Sequence, residues 1–203
     1  MVLYSNQCLY TMNELELLSG IMQKRRSLYP VSYSGEAISD DLLKIILDNA
    51  NLAPTHAKTE PWRYHIVRPE SYDAFVSFMQ KAFKKRFSGE AFNELKYNKL
   101  EGKIRKSSCI MAIGMVRDEK ERIPEWEEIA SVSCSVQNIY LSLTASGYGG
   151  YWSSPSFVIN HAADYFDLEE RERCLGLFYI GKPVEELPDQ HAKGAIEDKL
   201  KWY

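Results

Sequence analysis

Several features that would announce a function are missing from this chain. None of its 203 residues belongs to a run approaching the ~18 consecutive apolar residues of a membrane span. The first residues, MVLYSNQCLY, lack the basic and then apolar order of an export signal, so a soluble cytoplasmic protein is expected. Cys8, Cys109, Cys134 and Cys174 form no C-x-x-C pair and no Cys/His spacing suited to zinc, which leaves buried free thiols in a reducing compartment and no metal site. Charge of one sign is also scarce. With 25 basic and 28 acidic residues the net charge is -3, so no broad positive field attracts a nucleic acid. Also absent are G-x-S-x-G, H-E-x-x-H, a P-loop lysine motif and the G-x-G-x-x-G dinucleotide turn. Chemistry carried by the side chains alone is therefore not advertised, whereas a cofactor can do the electronic step while the protein binds and orients it.

What is present suits one globular domain over residues 1–203: 45% of the residues are hydrophobic, enough for a sizeable core, and no linker or repeat divides them. Apolar Leu15, Leu17, Leu18, Ile21 and Met22 predict a helix from Asn13 to Arg25. Ser39, followed by Asp40 and Asp41, predicts the cap of a second helix, with Leu42, Leu43, Ile45, Ile46 and Ala50 as its buried side. Strands are expected at Trp62–Val67, Cys109–Val116, Gly149–Ser153 and Cys174–Gly181. Helices are expected at Ser71–Phe87, Glu90–Lys106 and Ser156–Phe166, and over a long stretch from Pro124 to Gly147. In that longest helix Ile129, Val132, Val136, Ile139 and Leu143 recur at intervals of three and four while Ala130, Ser131, Ser133 and Ser135 keep other faces thin. Both a core helix and a dimer interface fit this pattern. The tail beyond Pro183 is expected to cross a surface. Helices and strands alternate too irregularly for βαβ repeats, which leaves an α+β layered domain.

Three polar clusters are candidates for a site. Arg25, Arg26 and Ser27 offer forked and hydroxyl donors for a phosphate, although basic residues at a helix end also suit the dipole with no ligand. The loop Ala53-Pro54-Thr55-His56-Ala57-Lys58-Thr59-Glu60-Pro61-Trp62-Arg63 places His56 and Lys58 where they can donate to an electron-rich ring. Read alone, His56 is a surface residue and Trp62 a core one. The third cluster is Gly147-Tyr148-Gly149-Gly150-Tyr151-Trp152-Ser153-Ser154. Its glycines permit a tight turn and close approach to a planar ring, and Gly147 equally well ends a helix.

Taken in order, Arg25-Arg26-Ser27, APTHAKTEPWR, SGYGGYW, LGLFYIGKP and the closing EDKLKWY resemble the nitroreductase family of FMN-dependent oxidoreductases over roughly Met22 to Tyr203, in particular its small single-domain YdjA-like members. The resemblance implies an α+β sandwich with a central mixed β-sheet flanked by helices, paired as an intertwined homodimer with two FMN sites at the interface. It implies that Arg25, Arg26 and Ser27 hold the FMN phosphate, that His56 and Lys58 reach the flavin from the partner subunit, and that Trp152, Ser153 and Ser154 line its ring or ribityl chain. Lys193 occupies a position where relatives carry a basic phosphate ligand. In the implied mechanism NAD(P)H delivers hydride to flavin N5 and departs, and a small nitroaromatic, quinone or similar acceptor then takes the electrons. This ping-pong cycle needs no catalytic side chain. A non-catalytic FMN storage or sensing protein and a related flavin dehydrogenase are the alternatives. Tyr29 stands where many relatives have a basic residue, and Glu60 where many have Gln.

Overall fold

Helix α1 (Glu14–Lys24) starts at a reciprocal cap, in which the Glu16 amide donates to Asn13 Oδ1 and the Asn13 amide to Glu16 Oε2, both at 2.9 Å. The computed structural model describes residues 13–185 and 193–203, and Cys8 lies outside them. Helix α2 (Asp40–Ala50) is opened by the Ser39 hydroxyl, which accepts from the Leu42 amide at 3.2 Å. There follow β1 (Trp62–Val67), α3 (Tyr72–Arg86), α4 (Glu94–Lys106), β2 (Cys109–Val116), α5 (Glu125–Ala145), β3 (Gly149–Ser153), α6 (Ser156–Ile159) and β4 (Glu172–Gly181). No helix among the described residues is long and apolar enough to cross a membrane.

The strands form one sheet in the order β1-β2-β4-β3, with antiparallel pairing at all three junctions. Its parallel component is a bridge between Ser27 and Gly150 on the outer edge of β3. Strand β2 is central and nearly continuous in apolar residues because both of its faces are covered. One face meets α3, α4 and α6 through Phe75, Met79, Phe83, Ile104 and Phe157. The other meets α2 and α5 through Ile46, Val132, Val136, Ile139 and Leu143. The expected α+β layering is thus built from two apolar layers sharing one sheet.

Several expectations change in detail. The helix foreseen over Ser156–Phe166 stops at Ile159, because His161 leaves helical backbone at φ -129 before a short 3-10 turn at Ala162–Asp164. That break lets Tyr165 and Phe166 join Phe75 and Phe78 in an aromatic cluster, with ring centroids 5.0–6.3 Å apart. Helix α4 begins at Glu94 and not Glu90, since a turn at Gly89–Ala91 comes first and Asn93 then caps it. Ile45 is 57% exposed, not buried, because it projects about 160° round the helix from Leu43. Cys109 and Cys174 are buried free thiols as expected, but Cys134 is exposed, on the face of α5 turned away from the sheet. Burial pushes the Cys109 thiol up to about 12, which keeps it protonated and inert near neutral pH.

The segment after α1 runs beside the sheet edge, held by Leu28 N–H donating to Gly150 O at 2.9 Å and Ser34 N–H to Lys182 O at 2.9 Å. Buried Tyr33 braces it: its hydroxyl donates to Leu28 O at 2.6 Å, with Tyr179 O at 3.0 Å. At the opposite end the loop before α5 is tied down by Glu128, whose side chain is fully buried. Its carboxylate accepts from the Asp118 amide at 2.7 Å and pairs with Arg117. Asp118 in turn accepts from the Arg122 amide (3.1 Å), Nε (2.9 Å) and Nη2 (2.6 Å).

Those bonds from Arg122 hold the Asp118 carboxyl well below the usual carboxylate range. A carboxyl depressed in the folded state contributes its stability above the unfolded pKa of about 3.9 and loses it as pH falls through the folded value. Asp118→Asn is therefore expected to lower the urea midpoint at neutral pH, with the gap from the parent narrowing progressively below about pH 4. Urea titrations of both proteins across that range check it.

Candidate functional site

Two separate groups of the candidate residues are assembled, one at each end of α5. At the first, Arg25 caps α1 with extended backbone, donating its amide to Ile21 O at 2.9 Å. Leaving the helix there lets its guanidinium lie over the Tyr140 ring, 5.2 Å from the centroid. Among the described residues no carboxylate lies within 4 Å of Arg25. The Tyr140 hydroxyl accepts from the Trp152 amide at 2.9 Å, and its ring meets Phe178 edge-on at 4.7 Å. Tyr140 thereby joins α1, α5, β3 and β4 around one side chain. Ser27 reaches the same place through its bridge to Gly150, with its side chain exposed, and Arg26 beside it is half-buried.

Trp152 and Ser153 are half-buried at the end of β3 and Ser154 is exposed just beyond it. The Trp152 Nε1 is buried without a hydrogen-bond partner among the described residues, and it lies 3.0 Å from where a Cβ on Gly176 would stand. Tyr29 packs its ring on Tyr151 at 4.5 Å. The glycines of SGYGGYW serve the fold first. Gly147 turns the chain at φ +77. The close approaches expected for a ligand ring at Gly149 and Gly150 are made by the chain's own Leu28 and Phe178, 2.7 Å and 2.3 Å from the positions a Cβ would take.

The second group is the loop 55–60. Ala57, Lys58 and Glu60 have φ of 51, 56 and 45, left-handed backbone that costs roughly 1–2 kcal/mol at a residue bearing a side chain. Internal bonds support it, with Thr55 Oγ1 3.0 Å from Thr59 Oγ1 and the Glu60 amide donating to Thr55 Oγ1 at 3.2 Å. Arg63 Nη1 donates to Glu60 O at 3.1 Å, and buried Trp62 donates its indole N–H to Asn51 Oδ1 at 2.9 Å, a core role as its residue type suggested. The His56 side chain is tied to α5: its Nδ1 lies 2.6 Å from Glu127 Oε2. Lys58 is exposed.

Glu127 and Tyr140 are 13 positions apart on one helix, about 20 Å along its axis at 1.5 Å per residue. Within one chain, His56 and Lys58 therefore stand far from Arg25, Ser27 and Trp152. Lys193, the remaining candidate, is exposed on the tail, and no hydrogen bond or ion pair joins it to the others among the described residues. Neither Tyr140 nor Glu127 is among the candidates that the sequence offers. One signal was available for Tyr140, its place on the apolar helix one position after Ile139, at the margin of the buried stripe.

With this architecture in view, the comparison with known proteins is direct: residues 22–182 match the profile of the nitroreductase family. The chain belongs to that family. YdjA of Escherichia coli K12, provisionally named an NAD(P)H nitroreductase, is 23% identical over 173 residues, 85% of this chain and 89% of YdjA. A nitroreductase-like family protein from Bacillus cereus has the same fold, with a TM-score of 0.76 at 21% identity over 100% of this chain and 98% of its own. A nitroreductase with bound FMN from Bacteroides fragilis superposes with a TM-score of 0.67 at 18% identity, covering 90% of this chain and 96% of that one. This nitroreductase-family chain thus keeps the fold of its relatives at low sequence identity.

Tyr140→Phe keeps the ring beneath Arg25 and leaves the Trp152 amide without its acceptor. Stability is expected to fall by about 1 kcal/mol, read by urea denaturation, with faster hydrogen exchange at the Trp152 amide.

Proposed function

We propose that the chain binds FMN and acts as an NAD(P)H-dependent oxidoreductase, passing electrons to a small nitroaromatic, quinone or similar acceptor. The observation that carries this reading is Arg25. It is a guanidinium with no carboxylate within 4 Å among the described residues, braced on Tyr140 beside an exposed Ser27 hydroxyl and the β3 edge, in a family fold whose Bacteroides fragilis representative holds FMN. Forked N–H donors beside a hydroxyl match the geometry and charge of a phosphate group. The donor set therefore fits the cofactor.

Two-electron transfer at the isoalloxazine ring is the chemistry FMN supplies when bound. The chain's part is to bind and orient. Arg25 and Ser27 hold the phosphate, Arg26 and Lys193 add positive charge around it, and Trp152, Ser153 and Ser154 flank the ribityl chain and ring. Lys58 donates to the pyrimidine edge, where negative charge collects on reduction, and His56 turns its exposed ring to the same edge.

On this reading the second group comes from another copy of the chain. Along α5 the residues that hold the two groups are about 20 Å apart, which supports a site completed across two subunits. An apolar face on α1, with Leu15 72% and Met22 50% exposed, supplies surface for a second copy to cover. Both observations support a homodimer with two shared sites.

Three outcomes test the reading. Replacing Arg25 and Ser27 together with alanine is expected to strip FMN from the purified protein, by at least about tenfold in affinity, while thermal unfolding of the FMN-free proteins barely changes; unaltered flavin content contradicts the site. Sedimentation of the FMN-loaded protein is expected to give a dimer, and a flavin-bearing monomer contradicts the shared arrangement. Bleaching of the bound flavin by NADH or NADPH, followed by recovery with a quinone or nitroarene, distinguishes an enzyme from a storage protein.

A further inference from the structure

We propose that Glu127 is a positioning residue that fixes the proton on Nδ1 of His56 and so decides which ring nitrogen is offered to the cofactor site. This rests on the reading above, in which His56 faces FMN. The loop carrying His56 is strained, with Ala57, Lys58 and Glu60 all in left-handed backbone. Such conformations persist when surrounding contacts over-determine them. Most of the loop's bonds are internal, among Thr55, His56, Thr59 and Glu60, and so cannot orient the imidazole relative to the body of the protein. The bond from His56 Nδ1 to Glu127 Oε2 at 2.6 Å does.

Glu127 is suited to the task. It lies in the first turn of α5, a 21-residue helix whose apolar side is buried against the sheet, so its backbone is rigid. Of the three acids in that turn, Glu128 is occupied by Arg117 and the Asp118 amide, and Glu125 by Arg173 at 2.5 Å and Arg117 at 3.7 Å. Glu127 is left for the histidine. An ionised carboxylate only accepts, so Nδ1 must donate. The opposite nitrogen, Nε2, is then the acceptor of the neutral ring; it has no partner among the described residues and sits on a side chain that is 60% exposed. A second group that fixes the tautomer and ring orientation of a working histidine is a recurrent device in metal and catalytic sites. Here it turns a mobile surface imidazole into an oriented one.

The decisive measurement is the tautomer of His56, read from long-range proton–nitrogen correlations in nitrogen-15-labelled protein at about pH 8, where an ordinary imidazole is neutral. The parent is expected to show the proton on Nδ1, with and without FMN. In Glu127→Ala the ring is expected to exchange between tautomers, and in Glu127→Gln, whose amide oxygen still accepts, the Nδ1 proton is expected to return. A purely structural role for Glu127 leaves the tautomer alone. In parallel, Glu127→Ala is expected to weaken FMN binding about tenfold, Glu127→Gln far less, and His56→Ala combined with Glu127→Ala no more than His56→Ala alone. An unchanged tautomer in Glu127→Ala, or fully additive losses in the double variant, overturns the proposal. If His56→Ala itself leaves FMN affinity unaltered, the placement of His56 at the flavin is what fails, whatever the tautomer shows.

Discussion

Helix α5 is held on the sheet by Val132, Val136, Ile139 and Leu143, all essentially excluded from solvent, and the arrangement of the site depends on this contact. A 21-residue helix locked along one face behaves as a rigid bar. Glu127 at one end clasps the loop of His56, and Tyr140 near the other supports Arg25 and Trp152. Loss of the apolar stripe would disturb both groups at once, since Tyr140 and Trp152 pack against its cluster and Glu127 lies on the same helix. The buried Glu128 serves the same end by tying the preceding loop to the helix.

The rest of the first group is organised by close backbone approach. Gly150 lies against the Phe178 ring and Gly149 against Leu28, so the segment after α1 can run along β3 and deliver Ser27 beside it. Tyr33, wedged over Gly181, completes this edge. These glycines need no ligand to explain them. Their effect on the proposed FMN site is indirect, since side chains there would push Arg25, Ser27 and Trp152 apart.

The distance along α5 links the fold to the proposed chemistry. On the proposed reading, a cofactor gripped at the Arg25 end of one chain meets the His56 of another copy. The exposed apolar face of α1 supports such a pairing in the proposal, since exposed apolar surface is costly in water.

Much of this was legible in the residues themselves. Strands at Trp62–Val67, Cys109–Val116 and Gly149–Ser153 and the cap at Ser39 have the expected bounds, because local pattern and capping chemistry act over a few residues. The family was legible because its motifs recur in order. Tertiary structure alone decided that α6 breaks at His161 to release two aromatic rings, that Ile45 and Cys134 face outward, and that the glycines meet Leu28 and Phe178 in place of a ligand. It also decided the partnerships of Tyr140 with Arg25 and Trp152 and of Glu127 with His56. The physical reason is separation along the chain: Glu127 and His56 are 71 positions apart, and Tyr140 and Arg25 lie on different helices. Periodicity can report which face of an element is apolar, whereas which side chains meet depends on how the elements cross once that face is buried.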